Sequence, residues 1–257
     1  MNRINQLFKD KTNILSVYFT AGFPELEDTT KIIHALEKNG ADLIEIGMPF
    51  SDPLADGPTI QASSLTALKN GMSIAKLFEQ LKDIRRSVSI PLILMGYINP
   101  VHKYGVEHFI EKCAEVGIDG VILPDLPFDE YQELYQETFE KNGVHNIFLI
   151  TPQTPEKRIR MIDDNTNGFI YMVSSAAVTG AKKGLSDVQR NYFEKVNSLN
   201  LKNHTLIGFG IGDHESFAEA CKYASGAIIG SAFIKLLNRS TDIEGDIAKF
   251  ITSIKNG

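Results

Sequence analysis

The chain is expected to fold as an α/β protein, a single (β/α)8 TIM barrel with extra helices, forming one domain over residues 1–257. Three observations predict this. The length of 257 residues suits one such barrel, which typically takes about 250. Short apolar runs alternate with helix-sized connections eight times, the pattern of a parallel sheet closed on itself. No Gly-x-Gly-x-x-Gly motif follows the first strand, which argues against the competing architecture, an open doubly wound sheet.

Taken in order, residues 5–9 read as a short leading helix that caps the bottom of the barrel. Residues 14–20 form the first strand, with Leu15, Val17 and Phe19 on one face. Ala21-Gly22-Phe23-Pro24 turns into a helix over 25–39, which Gly40 closes as a C-cap. The second strand begins at Leu43. After it come two helical pieces, 59–69 and 73–86, split by Asn70-Gly71. The third strand covers 91–95 and its helix 102–116. Strand and helix then alternate as 120–123 and 128–142, 146–150 and 155–163, and 168–173 and 186–199. Residues 174–185, rich in Ser, Ala and Gly, are too irregular for a regular element. The last pairs are 205–208 with 213–222, and 227–230 with a helical remainder to 254.

Composition narrows the function. With 43% hydrophobic and 23% charged residues the chain is ordinary for a globular protein, and its net charge of −6 with no basic face disfavours nucleic-acid or anionic-membrane binding. Cys113 and Cys221 sit in helix-like segments as free thiols, which fits a reducing compartment. Residues 1–10 lack a signal-peptide core, and no apolar run approaches about 18 residues. The expected location is the cytoplasm, without membrane attachment. The histidines, His34, His102, His108, His145, His204 and His214, show no ligand spacing, so no metal is assigned.

The most informative stretch is Leu43 to Pro58. Leu43, Glu45 and Gly47 alternate with Ile44 and Ile46, so isoleucines facing covering helices turn Glu45 into the barrel. Burial without a paired cation raises a carboxyl pKa, which suits a group that must give and take a proton near neutrality. A structural carboxylate accepting loop amides is the bland alternative. Asp52 and Asp56 follow on the loop, where Asp-Pro and Asp-Gly are also ordinary turn signals.

In a barrel the active site lies at the C-terminal ends of the strands. The sixth, seventh and eighth strands lead into Val178-Thr179-Gly180, Gly208-Phe209-Gly210-Ile211-Gly212 and Gly230-Ser231. Glycines there let backbone approach a ligand closely, and Ser231 opens a helix whose N–H groups can receive a phosphate. Tyr171 alternates with Phe169 and Val173 and is expected to enter the barrel, while Phe19, Met95 and Phe209 could wall a flat apolar substrate. Core packing is the alternative for each. No strand ends in Lys, which weighs against Schiff-base aldolases.

Ser51-Asp52-Pro53-Leu54-Ala55-Asp56-Gly57-Pro58 behind Glu45-Ile46-Gly47 resembles the signature of the tryptophan synthase alpha subunit family. Phe19 to Pro24, Pro124-Asp125-Leu126-Pro127, Val178-Thr179-Gly180, Gly208 to Ile211 and Gly230-Ser231 look like the family's other motifs in the family's order, so the resemblance spans essentially the whole chain. It implies a cofactor-free retro-aldol cleavage of indole-3-glycerol phosphate to indole and glyceraldehyde 3-phosphate. Indole then passes to a pyridoxal-phosphate beta subunit in an alpha2-beta2 complex, which docks on the face around residues 51–56 and Asn99-Pro100. Carried over by position, Glu45 is the general acid/base, Asp56 holds the indole N–H and Tyr171 supports the acid/base. Gly180, Gly210, Gly230 and Ser231 take the phosphate, Phe19, Met95 and Phe209 line the indole pocket, and Thr179 closes as a lid against Asp56. One departure is Ala177, where the family usually has Gly. Other phosphate-binding barrels, including indole-glycerol-phosphate synthase, and a nearly inactive barrel that only activates the beta subunit are the competing readings.

Overall fold

The computed structural model describes residues 1–173, 186–208 and 210–257. Among them the strands are β1 Ile14–Thr20, β2 Leu43–Gly47, β3 Leu92–Met95, β4 Gly120–Ile122, β5 His145–Asn146, β6 Leu149–Ile150, β7 Phe169–Val173, β8 His204–Gly208 and β9 Gly226–Ile229. All pairings are parallel, in the order β5-β4-β3-β2-β1-β9-β8-β7-β6. The two ends of that order are halves of one chain segment. Ile147 N–H still bonds Val121 O on the β4 side (2.9 Å), whereas Phe148 O accepts from Tyr171 N–H on β7 (2.9 Å). The expected fifth strand, 146–150, therefore breaks in two and hands its hydrogen bonds from one neighbour to the other, which closes the barrel.

Helix α1 Arg3–Asp10 precedes the barrel. The connections hold α2 Asp28–Lys38, α3 Pro58–Lys69, α4 Ile74–Leu81, α5 Ile98–Tyr104, α6 Val106–Val116, α7 Phe128–Glu130, α8 Gln136–Asn142, α9 Glu156–Asn165, α10 Asp187–Ser198, α11 His214–Ala220, α12 Ser231–Arg239 and α13 Ile243–Asn256. Four helices differ from expectation, the piece read as 73–86 ending at Leu81 before a 3-10 turn over Ile84–Arg86. The one read as 102–116 is two, because Gly105 at φ +94° is a conformation that an α-helix cannot contain. Asn99-Pro100 lies in the first turn of α5, where a proline gives up only an N–H that has no intrahelical partner. Between α7 and α8 the helix widens into a π turn over Tyr131–Tyr135, and the C-terminal stretch breaks between α12 and α13.

The bottom of the barrel is closed as expected by the leading helix. Asn2 caps α1 by accepting from Ile4 N–H (2.9 Å), and its side-chain amide donates to Asp119 O and Gly143 O. Ile4 is fully buried beside Gly120 and Gly168. No helix of the described residues is long and apolar enough to cross a membrane.

Every residue of β1 and β2 is buried, as in a parallel sheet covered on both faces. Burial alone therefore does not tell inside from outside; pairing does. Tyr18 lies opposite Glu45 and Phe19 opposite Ile46. Ser16, Tyr18 and Thr20 share the interior face with Leu43, Glu45 and Gly47. Leu15, Val17 and Phe19 face the helices with Ile44 and Ile46.

Candidate active site

Glu45 is fully buried near the C-terminal end of β2. Its Oε1 accepts from the Ser16 hydroxyl at 2.9 Å, while Oε2 has no hydrogen-bond partner among the described residues. Burial pushes the carboxyl up to about 8, against the Ser16 hydrogen bond, which pulls the other way. At neutral pH Glu45 thus holds its proton.

Asp56 sits half-buried on the loop between β2 and α3. Among the contacts that hold that loop, Tyr97 Oη donates to Asp56 Oδ2 (3.0 Å), Ala55 N–H donates to Tyr97 Oη (3.0 Å), and Gln61 Nε2 donates to Asp56 O (2.9 Å). Desolvation raises Asp56 to about 6, with the Tyr97 hydrogen bond opposing it. The two acids therefore straddle neutrality, Glu45 protonated and Asp56 ionised. Ser51, Asp52 and Leu54 on the same loop are exposed, Leu54 almost completely.

Tyr171 on β7 feels the charges of Glu45 and Asp56 and the hydroxyl of Tyr18, and burial holds its phenol well above the ordinary range. Three strands separate β7 from β2 around the sheet, so these groups meet across the interior. A side chain on Gly208 would collide with the Tyr171 hydroxyl, and one on Gly47 with that of Tyr18. The two glycines therefore make room for the two phenols. Tyr18 is likewise raised by burial and by Asp56, and its ring packs beside Gly230.

Gly230 precedes α12, Ser231 is its first residue, and among the described residues no side chain caps that end. Ile234 N–H bonds Gly230 O (3.0 Å), so the N–H groups of residues 231–233 precede the first intrahelical bond and face out at the positive end of the dipole. Gly210, at φ +80°, begins the neighbouring loop, in which a Cβ on Gly212 would lie 3.3 Å from Ala232 Cβ. Among the described residues no group of three or more His, Cys, Asp or Glu side chains could hold a metal ion.

The interior thus brings together Glu45, Asp56 and Tyr171. Met95 pairs with Gly47 and shares their face. Phe19 is a correction. It is buried on the opposite, helix-facing side, and the aromatic ring that β1 turns inward is Tyr18. Thr179, Gly180, Phe209 and Ala177 lie outside the described residues. Ser16, Tyr18 and Tyr97 were not singled out from sequence. The signal for the first two was their two-residue spacing on a strand whose partner carries Glu45; for Tyr97 it was a phenol just beyond the end of β3.

Residues 4–256 match the family described as Tryptophan synthase alpha chain. A relative of that name from Flavobacterium johnsoniae is 61% identical over 99% of this chain and 100% of its own length. Among solved structures, the tryptophan synthase alpha chain of Legionella pneumophila superimposes with a TM-score of 0.88 at 31% identity, covering 99% of this chain and 96% of that one. The Pyrococcus furiosus tryptophan synthase complex contains a chain matching at TM-score 0.84 and 33% identity, over 95% of this chain and 98% of that one. A full-length family match, a majority of identical residues and a superimposable barrel agree: this chain belongs to the tryptophan synthase alpha chain family.

Proposed function

We propose that this chain, a lyase of tryptophan biosynthesis, cleaves indole-3-glycerol phosphate to indole and glyceraldehyde 3-phosphate with Glu45 as the acid/base and Asp56 as the partner of the indole N–H. The observation that carries the reading is the fully buried Glu45, with one carboxyl oxygen unpartnered among the described residues and its proton retained at neutral pH.

The chemistry follows from the two opposite protonation states. Glu45 gives its proton to indole C3, which leaves positive charge on the ring system. Ionised Asp56 stabilises that charge at N1–H, in a site where partial burial strengthens the attraction. Glu45, now a carboxylate, removes the proton from the glycerol hydroxyl on the carbon next to the ring. The carbon–carbon bond breaks, its electron pair returns to the indole ring, and the hydroxyl-bearing carbon becomes the aldehyde. Glu45 ends protonated, as it began, and no oxidant or cofactor enters the balance. Each of the two groups contributes roughly 10²- to 10⁴-fold.

The remaining roles are assigned on position. Tyr171 supports Glu45 across the interior, and Met95 with Tyr18 flanks the ring. Gly210, Gly230 and Ser231, with Gly180, take the phosphate through backbone N–H groups and the serine hydroxyl. The whole chain acts as one domain in the cytoplasm and passes indole to a beta subunit docked on the exposed loop that carries Leu54.

Indole release from indole-3-glycerol phosphate by wild type and Glu45→Gln, each with and without beta subunit, tests this. The expected result is release by wild type, faster with partner, and loss in the variant. Equal inactivity of both proteins, with beta-subunit stimulation retained, would make the chain an activating scaffold and overturn the catalytic assignment.

A further inference from the structure

We infer that Ser16 is a positioning residue for this reaction: its hydroxyl decides which oxygen of Glu45 carries the transferable proton. Ser16 lies on the interior face of β1, fully buried, and its Oγ donates across the β1–β2 pair to Glu45 Oε1 at 2.9 Å. A neutral carboxyl has one oxygen that accepts and one that bears the proton. With Oε1 occupied as acceptor, the proton resides on Oε2, the buried oxygen that has no partner among the described residues. The transferable proton is thereby aimed away from β1 and into the site.

The same bond serves the second half of the reaction. Once Glu45 has given up its proton, the carboxylate is buried beside Tyr18 on β1 and Tyr171 on β7, the titratable groups of the described residues that feel its charge; the same two phenols feel Asp56 on the loop after β2. Burial keeps both phenols neutral. Among the described residues the Ser16 hydroxyl is the donor that stabilises the negative charge until the substrate hydroxyl returns a proton, and it opposes the upward push of burial. Ser16 acts through Glu45 and need not touch substrate.

This inference rests on Glu45 being the acid/base, and its test separates the two. The pH profile of indole release would be measured for wild type, Ser16→Ala, Ser16→Cys and Glu45→Gln in complex with the beta subunit. Removing a hydrogen bond to a charged group should lower kcat of Ser16→Ala about tenfold, leave KM within about twofold, and move the alkaline limb upward. The Glu45 midpoint, read by carboxyl 13C NMR without reliance on turnover, should rise in Ser16→Ala. Ser16→Cys, a weaker donor of similar shape, should fall between the two and supplies the same readings if the alanine variant does not fold. An unmoved midpoint together with wild-type kcat overturns the inference while leaving an inactive Glu45→Gln, and thus the acid/base reading, intact. Turnover by Glu45→Gln at the wild-type rate overturns the reading beneath it.

Discussion

The two ends of this barrel treat buried carboxyl groups in opposite ways. At the bottom, Asp119 meets Arg85 (2.5 Å), Arg3 (2.9 Å) and the Leu92 N–H (3.0 Å), while Asp42 meets Lys11 (2.9 Å), Lys255 (3.1 Å) and the Leu15 N–H (3.0 Å). Asp163 likewise takes the N–H groups of Lys202 and Asn203, both at 2.9 Å. Every one of these carboxylates clamps backbone at the start of a neighbouring strand, β1 for Asp42, β3 for Asp119 and β8 for Asp163. At the top, Glu45 is more deeply buried than any of them but, among the described residues, has a single hydroxyl and no cation. The contrast teaches that burial is tolerated at the bottom because charge and hydrogen bonds are matched, and that at the top the mismatch itself is the working state: a neutral acid ready to donate.

Breaking the matched end should have the largest effect on stability. Asp119→Ala leaves Arg85, mostly buried, without its carboxylate and should cost roughly 3–5 kcal/mol in urea unfolding, while indole release per folded molecule stays near wild type. Removing the mismatched acid should do the reverse. Glu45 holds its proton to about pH 8 when folded, against 4.5 as the ordinary value. Through that window the unfolded chain has released a proton that the folded chain retains, so rising pH destabilises wild type. Glu45→Gln escapes this and should gain on the order of 2–4 kcal/mol over wild type at pH 9, with no gain below pH 4.5. Equal stability of the two proteins at pH 9 would show that Glu45 is matched after all.

The activity profile sharpens the same comparison. With Asp56 required ionised and Glu45 required protonated, kcat/KM should form a bell with limbs near pH 6 and pH 8. A profile flat across that range would remove the paired assignment. The smallest effect is expected from Tyr97→Phe. It removes one hydrogen bond to Asp56 and another from Ala55, so Asp56 should titrate higher, moving the acid limb upward and costing about 1 kcal/mol in kcat/KM.

How much of this was legible in the sequence varies by residue. Glu45 was readable because its flanking isoleucines match the helix-facing positions of a covered strand. The neighbouring strand turns inward the face one position away from the one its apolar pattern suggests. Leu15, Val17 and Phe19 form the apolar face, and by sequence Phe19 is the aromatic of that face expected to wall the site. All seven residues of β1 are buried, so no exposed side betrays the orientation, and the pairing of Tyr18 with Glu45 settles it. The break in the fifth strand was invisible for a similar reason: Ile147 and Phe148 read as strand and are buried as strand residues would be. Only their change of hydrogen-bonding neighbour reveals the handover.

What the sequence determined by itself is the order of elements, the barrel class and the signature loop, because period, turn residues and local motifs are properties of neighbouring positions along the chain. What only the tertiary structure decided is which face of β1 turns inward, that Ser16 bonds Glu45, and that Tyr97 holds Asp56 (2.9 and 3.0 Å). Those contacts join residues 29 and 41 positions apart. They depend on strand pairing and on how far each loop folds back over the barrel mouth, neither of which any local pattern encodes.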